Sequence, residues 1–215
     1  MAPLKLLCMP LSTCTKRVIA LLEELQVPYE VVTIDLTKGE QKRPEYVKLQ
    51  PFGKIPVLED PDTGITIFES RSILRYLANK YQDKAGSLVG TDAKSRALVD
   101  NWLEAEGQNF NPPAGNIVFE RVFKAWRGQA ADEAAVQKEL PKLEAVLDAY
   151  ETILAQRPYL AGDDFSIADL SHLPYLSLLM TAAGVSDPVN KRPHVKAWWD
   201  RISSRPTWQK VSQMK

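Results

Sequence analysis

Charge of one sign is the first thing this sequence lacks. Lys plus Arg and Asp plus Glu both total 27 among 215 residues, so the formal net charge is zero. Broad binding to nucleic acid or to an anionic membrane surface needs a basic field, and both are excluded as main functions. Long apolar runs are missing too: none approaches the roughly 20 residues that cross a bilayer. The start, M-A-P-L-K-L-L-C, lacks the apolar core and small-residue cleavage site of a secretory leader. Cysteine is scarce. Cys8 and Cys14 cannot make a disulfide framework, and a reducing, cytoplasmic location is the simplest home. The two histidines, His172 and His194, stand far apart, so no metal site is expected.

What the chain does have is a change of pattern part-way along. Leu4 to Cys8 reads as a short buried strand, broken by Met9-Pro10. Ser12 or Thr13 can then cap a helix whose apolar residues Val18, Leu21, Leu22 and Leu25 recur at helical spacing. Tyr29 to Ile34 is β-branched and reads as a second strand, parallel to the first across the helix. A polar stretch with a short helix from Pro44 follows. Ile55 to Leu58 and Ile65 to Phe68, separated by E-D-P-D-T-G, form a hairpin, because Pro presets φ and Gly supplies positive φ. Pro56 inside the first of these runs implies an edge, a bulge or a cis bond. Ser70 is a candidate N-cap for a helix through Ile73, Leu74 and Leu77, and a helix start is an anion site. The layout to residue 80 is β-α-β-α-β-β-α.

Residues 81–91 read as a polar, Gly-bearing linker, and beyond them only helices are expected. These run from Asp92 to about Asn109, from Ile117 to Trp126 and from Ala131 to Ala155, with N-P-P-A-G at 111–115 as an interruption. Ser166-Ile167-Ala168-Asp169 matches a capping box before an apolar run. The fold class is α/β plus all-α: residues 1–80, the linker, and an all-helical 92–215.

Several segments together resemble the cytosolic glutathione transferases, and within them the phi class. They are L-S-T-C-T-K-R-V (11–18), K-G-E-Q-K-R-P-E-Y (38–46), Q-P-F-G-K-I-P-V-L (50–58), F-E-S-R-S-I (68–73), Y-L-A-G-D-D-F-S-I-A-D-L-S-H-L (159–173) and P-H-V-K-A-W-W (193–199). The resemblance implies a thioredoxin-like first domain that binds glutathione as co-substrate. It places the catalytic serine on Ser12, with Thr13 beside it, to stabilise the glutathione thiolate. It places the γ-glutamyl end on Glu69 and Ser70, and the cysteinyl backbone on Ile55 before a cis Pro56. The glycine carboxylate falls to Gln41, Lys42 and Lys54, although histidine is frequent at the first of these positions and glutamine at the third. Leu11, Leu36, Phe119 and Phe123 are the implied lining of an electrophile site. Phe52 is the implied contact of a homodimer.

Each residue taken alone has a plainer reading. Ser12 and the Glu69-Ser70 pair read as ordinary caps, Lys42 and Lys54 as solvated lysines, and Pro56 as a strand-edge proline. Asp169 and Ser166 form a capping box, which the resemblance implies folds the core of the helical domain. The implied activity is conjugation of glutathione to small apolar electrophiles, with reduction of organic hydroperoxides. Two rivals stand beside it: a thiol–disulfide oxidoreductase working through Cys14 in the first helical turn, and a non-catalytic carrier of apolar ligands.

Overall fold

The protein's structure, a computed structural model, describes residues 2–214. The chain divides into two compact units, Met1–Gly86 with Gln209–Lys215, and Ser87–Trp208. The first unit is a four-stranded sheet in the order β2-β1-β3-β4, with β1 Leu4–Cys8, β2 Tyr29–Thr33, β3 Val57–Asp60 and β4 Ile65–Phe68. Strands β1 and β2 pair in parallel, with Leu6 opposite Val31. Helix α1, Thr13–Leu25, connects them, as a parallel pair requires. Strand β3 runs antiparallel to β1 and to β4. Buried Leu4, Leu6 and Cys8 on β1 and Val18, Leu21, Leu22 and Leu25 on α1 supply core on the expected faces. Each fully buried aliphatic side chain contributes about 1.5–3 kcal/mol.

Helix α2, Pro44–Val47, starts at the expected proline but is one turn long, preceded by 3₁₀ turns at 36–38 and 40–42. The hairpin pairs two residues later than the apolar run suggests. The Ile55–Pro56 peptide is cis and lies ahead of the ladder, so the ladder opens at Val57, the first residue with an N–H to give. Helix α3, Ser70–Lys80, corrects one expectation: its N-cap is Glu69, and Ser70 is its first helical residue. Buried Asp60 at the end of β3 accepts from Tyr76 Oη at 2.5 Å and pairs with Lys80, which clamps the hairpin onto α3.

The stretch expected to be a linker is folded. Helix α4, Gln82–Ala85, and a 3₁₀ turn at 86–89 occupy it, with Ala85 and Leu88 buried. The Tyr81 carbonyl accepts from Lys84 N and Ala85 N, and Gly86 ends the turn at φ +50°. Polar composition concealed these short turns, which Ala85 and Leu88 anchor. The C-terminal end of the expected helical domain also differs. Lys16 Nζ donates to the Ser212 carbonyl at 3.0 Å and Lys210 Nζ pairs with Glu23 at 2.6 Å, which ties the last residues to α1.

The second unit contains helices and no strand among its described residues. Helix α5, Ala93–Ala105, and α6, Asn111–Val118, belong to one helical run from 93 to 123. N-P-P-A-G does not interrupt it. Pro112 and Pro113 lack an N–H, and the preceding turn at 106–110 widens to π geometry, with Asn111 N bonded to the Glu106 carbonyl. A second π turn covers 119–123. Helix α7, Glu133–Leu154, keeps its expected apolar face. Helices α8, Ile167–Met180, α9, Asp187–Asn190, α10, Pro193–Ser203, and α11, Pro206–Ser212, complete the chain.

Asp169 is the polar centre of this unit. Its carboxylate accepts from Leu160 N and Ser166 N at 3.0 Å, and from Ser166 Oγ and Trp198 Nε1 at 2.9 Å. Burial pushes this carboxyl up, and the four donors work against that push. His172 packs on Phe110, Tyr150 and Trp198. Its Nδ1 meets the Ala168 carbonyl at 2.8 Å; a carbonyl only accepts, so Nδ1 carries the proton and Nε2 accepts from Tyr150 Oη at 3.0 Å.

Candidate functional site

The first unit gathers most of the predicted residues at the starts of its helices and in the loop before β3. Ser12 is the N-cap of α1, in extended conformation, and its Oγ takes only a long 3.5 Å contact from Thr15 N. The hydroxyl is half-buried, and its proton goes to no acceptor among the described residues. Thr13 follows it, buried. Cys14 is half-buried and Cys8 fully so; burial pushes the Cys8 thiol up to about 11, against a hydrogen bond from Thr15.

Arg17 escaped the sequence reading. It is fully buried, and its Nη1 donates to Ser70 Oγ at 2.9 Å and approaches Cys14 Sγ at 3.7 Å. It therefore links the first turns of α1 and α3. A signal was present: Arg17 lies four residues before Leu21, on the buried side of α1, where an arginine needs partners. Glu69 is exposed and held at φ +68°, ψ 111°, a conformation rare for a residue with a side chain. Such positions cluster at ligand-binding sites. With Ser70 next in the chain, a carboxylate and a helix N-terminus stand side by side, suited to an ammonium and a carboxylate on one ligand.

The loop before β3 holds a second group. Gly53 has φ +59°, and a Cβ there would lie 2.7 Å from both the Gln41 carbonyl oxygen and Lys42 Cδ. Only glycine lets these backbones approach so closely. Lys42 Nζ donates to the Phe52 carbonyl at 2.9 Å, and the Gln41 Oε1 is buried without a partner. Lys54 is exposed; its backbone is fixed by Tyr46 Oη at 2.8 Å and by buried Gln50 Oε1 at 3.3 Å. Tyr46 and Gln50 are further positioning residues that sequence gave no reason to choose. Ile55 and Leu36 pack on the cluster of Leu7, Ile34, Tyr46 and Val57. Leu11 is 41% exposed, and Phe52 is 63% exposed, edge-on to Phe68. Phe119 and Phe123 belong to the second unit, four residues apart on the π turn.

The comparisons with known proteins bear on the family and the fold. Residues 2–79 match the glutathione S-transferase N-terminal domain and residues 110–206 the corresponding C-terminal domain. Glutathione S-transferase F10 of Arabidopsis thaliana is 45% identical over 203 residues, 94% of each chain. This chain belongs to the glutathione S-transferase family. Within it, the similarity to F-type plant proteins marks the phi class. The crystal structure of poplar glutathione transferase F1 superposes with a TM-score of 0.94 at 46% identity, covering 99% of this chain and 98% of that one. A maize glutathione S-transferase I, solved with an atrazine glutathione conjugate, gives 0.87 at 36% identity over 98% and 97%. The protein is thus a glutathione transferase with a thioredoxin-like sheet domain and a helical C-terminal domain. No group of His, Cys, Asp and Glu among the described residues could hold a metal ion. No helix among them is long and apolar enough to cross a membrane.

Proposed function

We propose that this transferase uses Ser12 to stabilise the thiolate of glutathione for attack on small apolar electrophiles. The observation that carries the reading is the uncommitted Ser12 hydroxyl at the start of α1. A thiol has a pKa of about 8.5, and each tenfold gain in thiolate needs about 1.4 kcal/mol of preferential stabilisation. One hydrogen bond to a charged acceptor supplies about 1.5–3 kcal/mol, and the helix N-terminus adds a few tenths to 1 kcal/mol more. No strong base is required; the thiol proton leaves to solvent. The sulfur then forms its bond to carbon as the leaving group departs with its electron pair. With a hydroperoxide, the sulfur takes the terminal oxygen, releasing an alcohol, and a second glutathione converts the sulfenic acid to disulfide and water.

Binding in this reading follows the residue groups of the first unit. Glu69 meets the ammonium of glutathione, Ser70 and the α3 N-terminus its γ-glutamyl carboxylate, and Ile55 its cysteinyl backbone. Gln41, Lys42 and Lys54 meet the glycine carboxylate. Leu11 and Leu36 of this unit meet the electrophile. The working unit is a cytoplasmic homodimer. Exposed Phe52 of one copy enters an apolar cavity of about 350 Å³ in its partner, lined by Trp102, Ala105, Asn109, Val146, Ala149 and Tyr150. Phe52→Ala should shift the dimer toward monomer on dilution in sedimentation velocity; an unshifted distribution would remove Phe52 from the interface.

A second reading has one observation in its favour, the contact of Arg17 with Cys14. In that reading Cys14, in the first turn of α1, is the nucleophile of a disulfide exchange. Conjugation of a generic aryl halide by Ser12→Ala and Cys14→Ser separates the two. The proposal expects activity to fall in the first and stay near parental in the second, and the reverse pattern supports Cys14.

A further inference from the structure

One side chain joins two helix starts of the first unit. Arg17 lies on α1, fully buried, and its Nη1 donates to the Oγ of Ser70, the first residue of α3, at 2.9 Å. The same nitrogen approaches Cys14 Sγ, a weak acceptor one turn back on α1, at 3.7 Å, so the fork is braced from its own helix. A guanidinium donates and never accepts. The bond to Ser70 therefore uses an oxygen lone pair and leaves the hydroxyl proton for another partner. Among the described residues that proton meets no acceptor. Ser70 is itself only 5% exposed, so its hydroxyl has little room to turn.

An unrestrained serine turns either its proton or a lone pair toward a ligand. A carboxylate only accepts, so part of its binding energy is lost in ordering such a hydroxyl. Arg17 removes that choice by holding the accepting side of Ser70. Donation from a cation also draws density from Oγ, which makes the remaining O–H a stronger donor. The backbone N–H of Ser70, at the first helical position, is one of the orphan donors of the α3 start and adds to it. We propose that Arg17 is a positioning residue that sets Ser70 as a donor, and so makes the site select thiols bearing a carboxylate on the γ-glutamyl α-carbon. The inference rests on the reading that Ser70 meets that carboxylate. Arg17 acts through Ser70 and not on the reacting sulfur, so its effect falls on KM.

The test compares glutathione with the analogue in which 4-aminobutyrate replaces the γ-glutamyl residue. That analogue keeps the ammonium, the thiol and the glycine carboxylate and lacks only the carboxylate in question. Conjugation to one aryl halide reads both thiols. Arg17→Gln, whose amide ends short of the Nη1 position, should lower the glutathione-to-analogue ratio of kcat/KM about three- to tenfold, part of the strength of one hydrogen bond to a charged acceptor. The loss should appear as a raised KM for glutathione, with kcat at saturation held. Arg17→Lys, shorter than arginine but still a cationic donor, should restore part of the ratio. Loosened packing of α1 on α3 would slow both thiols alike, so an unchanged ratio in Arg17→Gln overturns the proposal. Arg17→Met, which keeps the buried stem, decides on the same ratio if the glutamine variant does not fold. Ser70→Ala separates the two layers of the argument. If it lowers the ratio while Arg17→Gln does not, the carboxylate stays with Ser70 and the role of Arg17 falls. If Ser70→Ala leaves the parental ratio, the placement of the carboxylate fails and takes this inference with it. Where both lower it, the double variant should go no lower than Ser70→Ala alone, and additive losses overturn the route through Ser70.

Discussion

Ser12 and Ser166 both stand at the start of a helix, one in each unit, and the sequence presents them almost identically. The structure separates them by what their hydroxyls do. Ser166 is buried and spends its backbone N–H and its O–H on Asp169, which also holds Leu160 and Trp198. Ser12 is half-buried, takes one long contact and keeps its proton. A satisfied serine fixes a fold, whereas an unsatisfied one at a helix N-terminus is ready for a ligand.

The comparison can be broken at its strongest point first. Asp169→Ala leaves four donors without their acceptor in a buried site, and should cost about 3–5 kcal/mol, read as a drop in Tm and in denaturant midpoint. A loss below about 1 kcal/mol would mean that the network is not the centre of the second unit. Ser12→Ala should do the opposite: conjugation falls about ten- to a hundredfold, while stability changes by less than about 1 kcal/mol because the capping contact is already long. Equal losses of stability in Ser12→Ala and Ser166→Ala would erase the distinction.

Asp60 sharpens the comparison from the side of pH. Burial pushes its carboxyl up, but hydrogen bonds from Lys80 and Tyr76 prevail, and the net direction is down. A carboxyl lowered on folding stabilises above its unfolded pKa of about 3.9, and that share is lost as pH falls through the folded value. Lys80 is raised by Asp60 and Asp62 against its own desolvation, so its share persists until pH rises above about 10.4. Asp60→Asn should therefore lower stability at pH 7 by about 1–3 kcal/mol and flatten its decline below about pH 4. Urea midpoints across pH would show this, and an unaltered acid limb would remove Asp60 from the clamp. The smallest effect concerns the cysteines. Cys8, buried and pushed up to about 11, should resist alkylation at pH 8 in the folded protein, while half-buried Cys14 reacts. Peptide mapping after iodoacetamide treatment reads both, and labelling of Cys8 first would contradict its burial.

Much of the fold was legible because its signals are periodic. The apolar stripe of α1, the Pro- and Gly-bearing turn between the apolar runs of β3 and β4 and the capping box at Ser166 each follow from local rules. Short turns at 36–42 and 82–89 were not, since a few residues carry too little periodicity to distinguish a turn from a loop. The Pro112-Pro113 pair misled for a physical reason: proline breaks an α-helix, but a π turn ahead of it absorbs the missing N–H groups. At the candidate site, Ser12, Glu69 and Pro56 could be chosen from motifs. Arg17, Tyr46, Gln50 and Gly53 could not, because their roles are tertiary: a buried link between helices, two anchors for the Lys54 backbone, and a close approach of loops.

The central claim is that Ser12 lowers the pKa of bound glutathione, and its most direct test is a titration of that thiol. Ultraviolet thiolate absorbance would be followed against pH for glutathione bound to the parent and to Ser12→Ala. The account predicts a bound thiol at least one pKa unit below its free value of about 8.5 in the parent, returning toward that value in the variant. The same lowered pKa in both proteins would show that something other than Ser12 holds the thiolate.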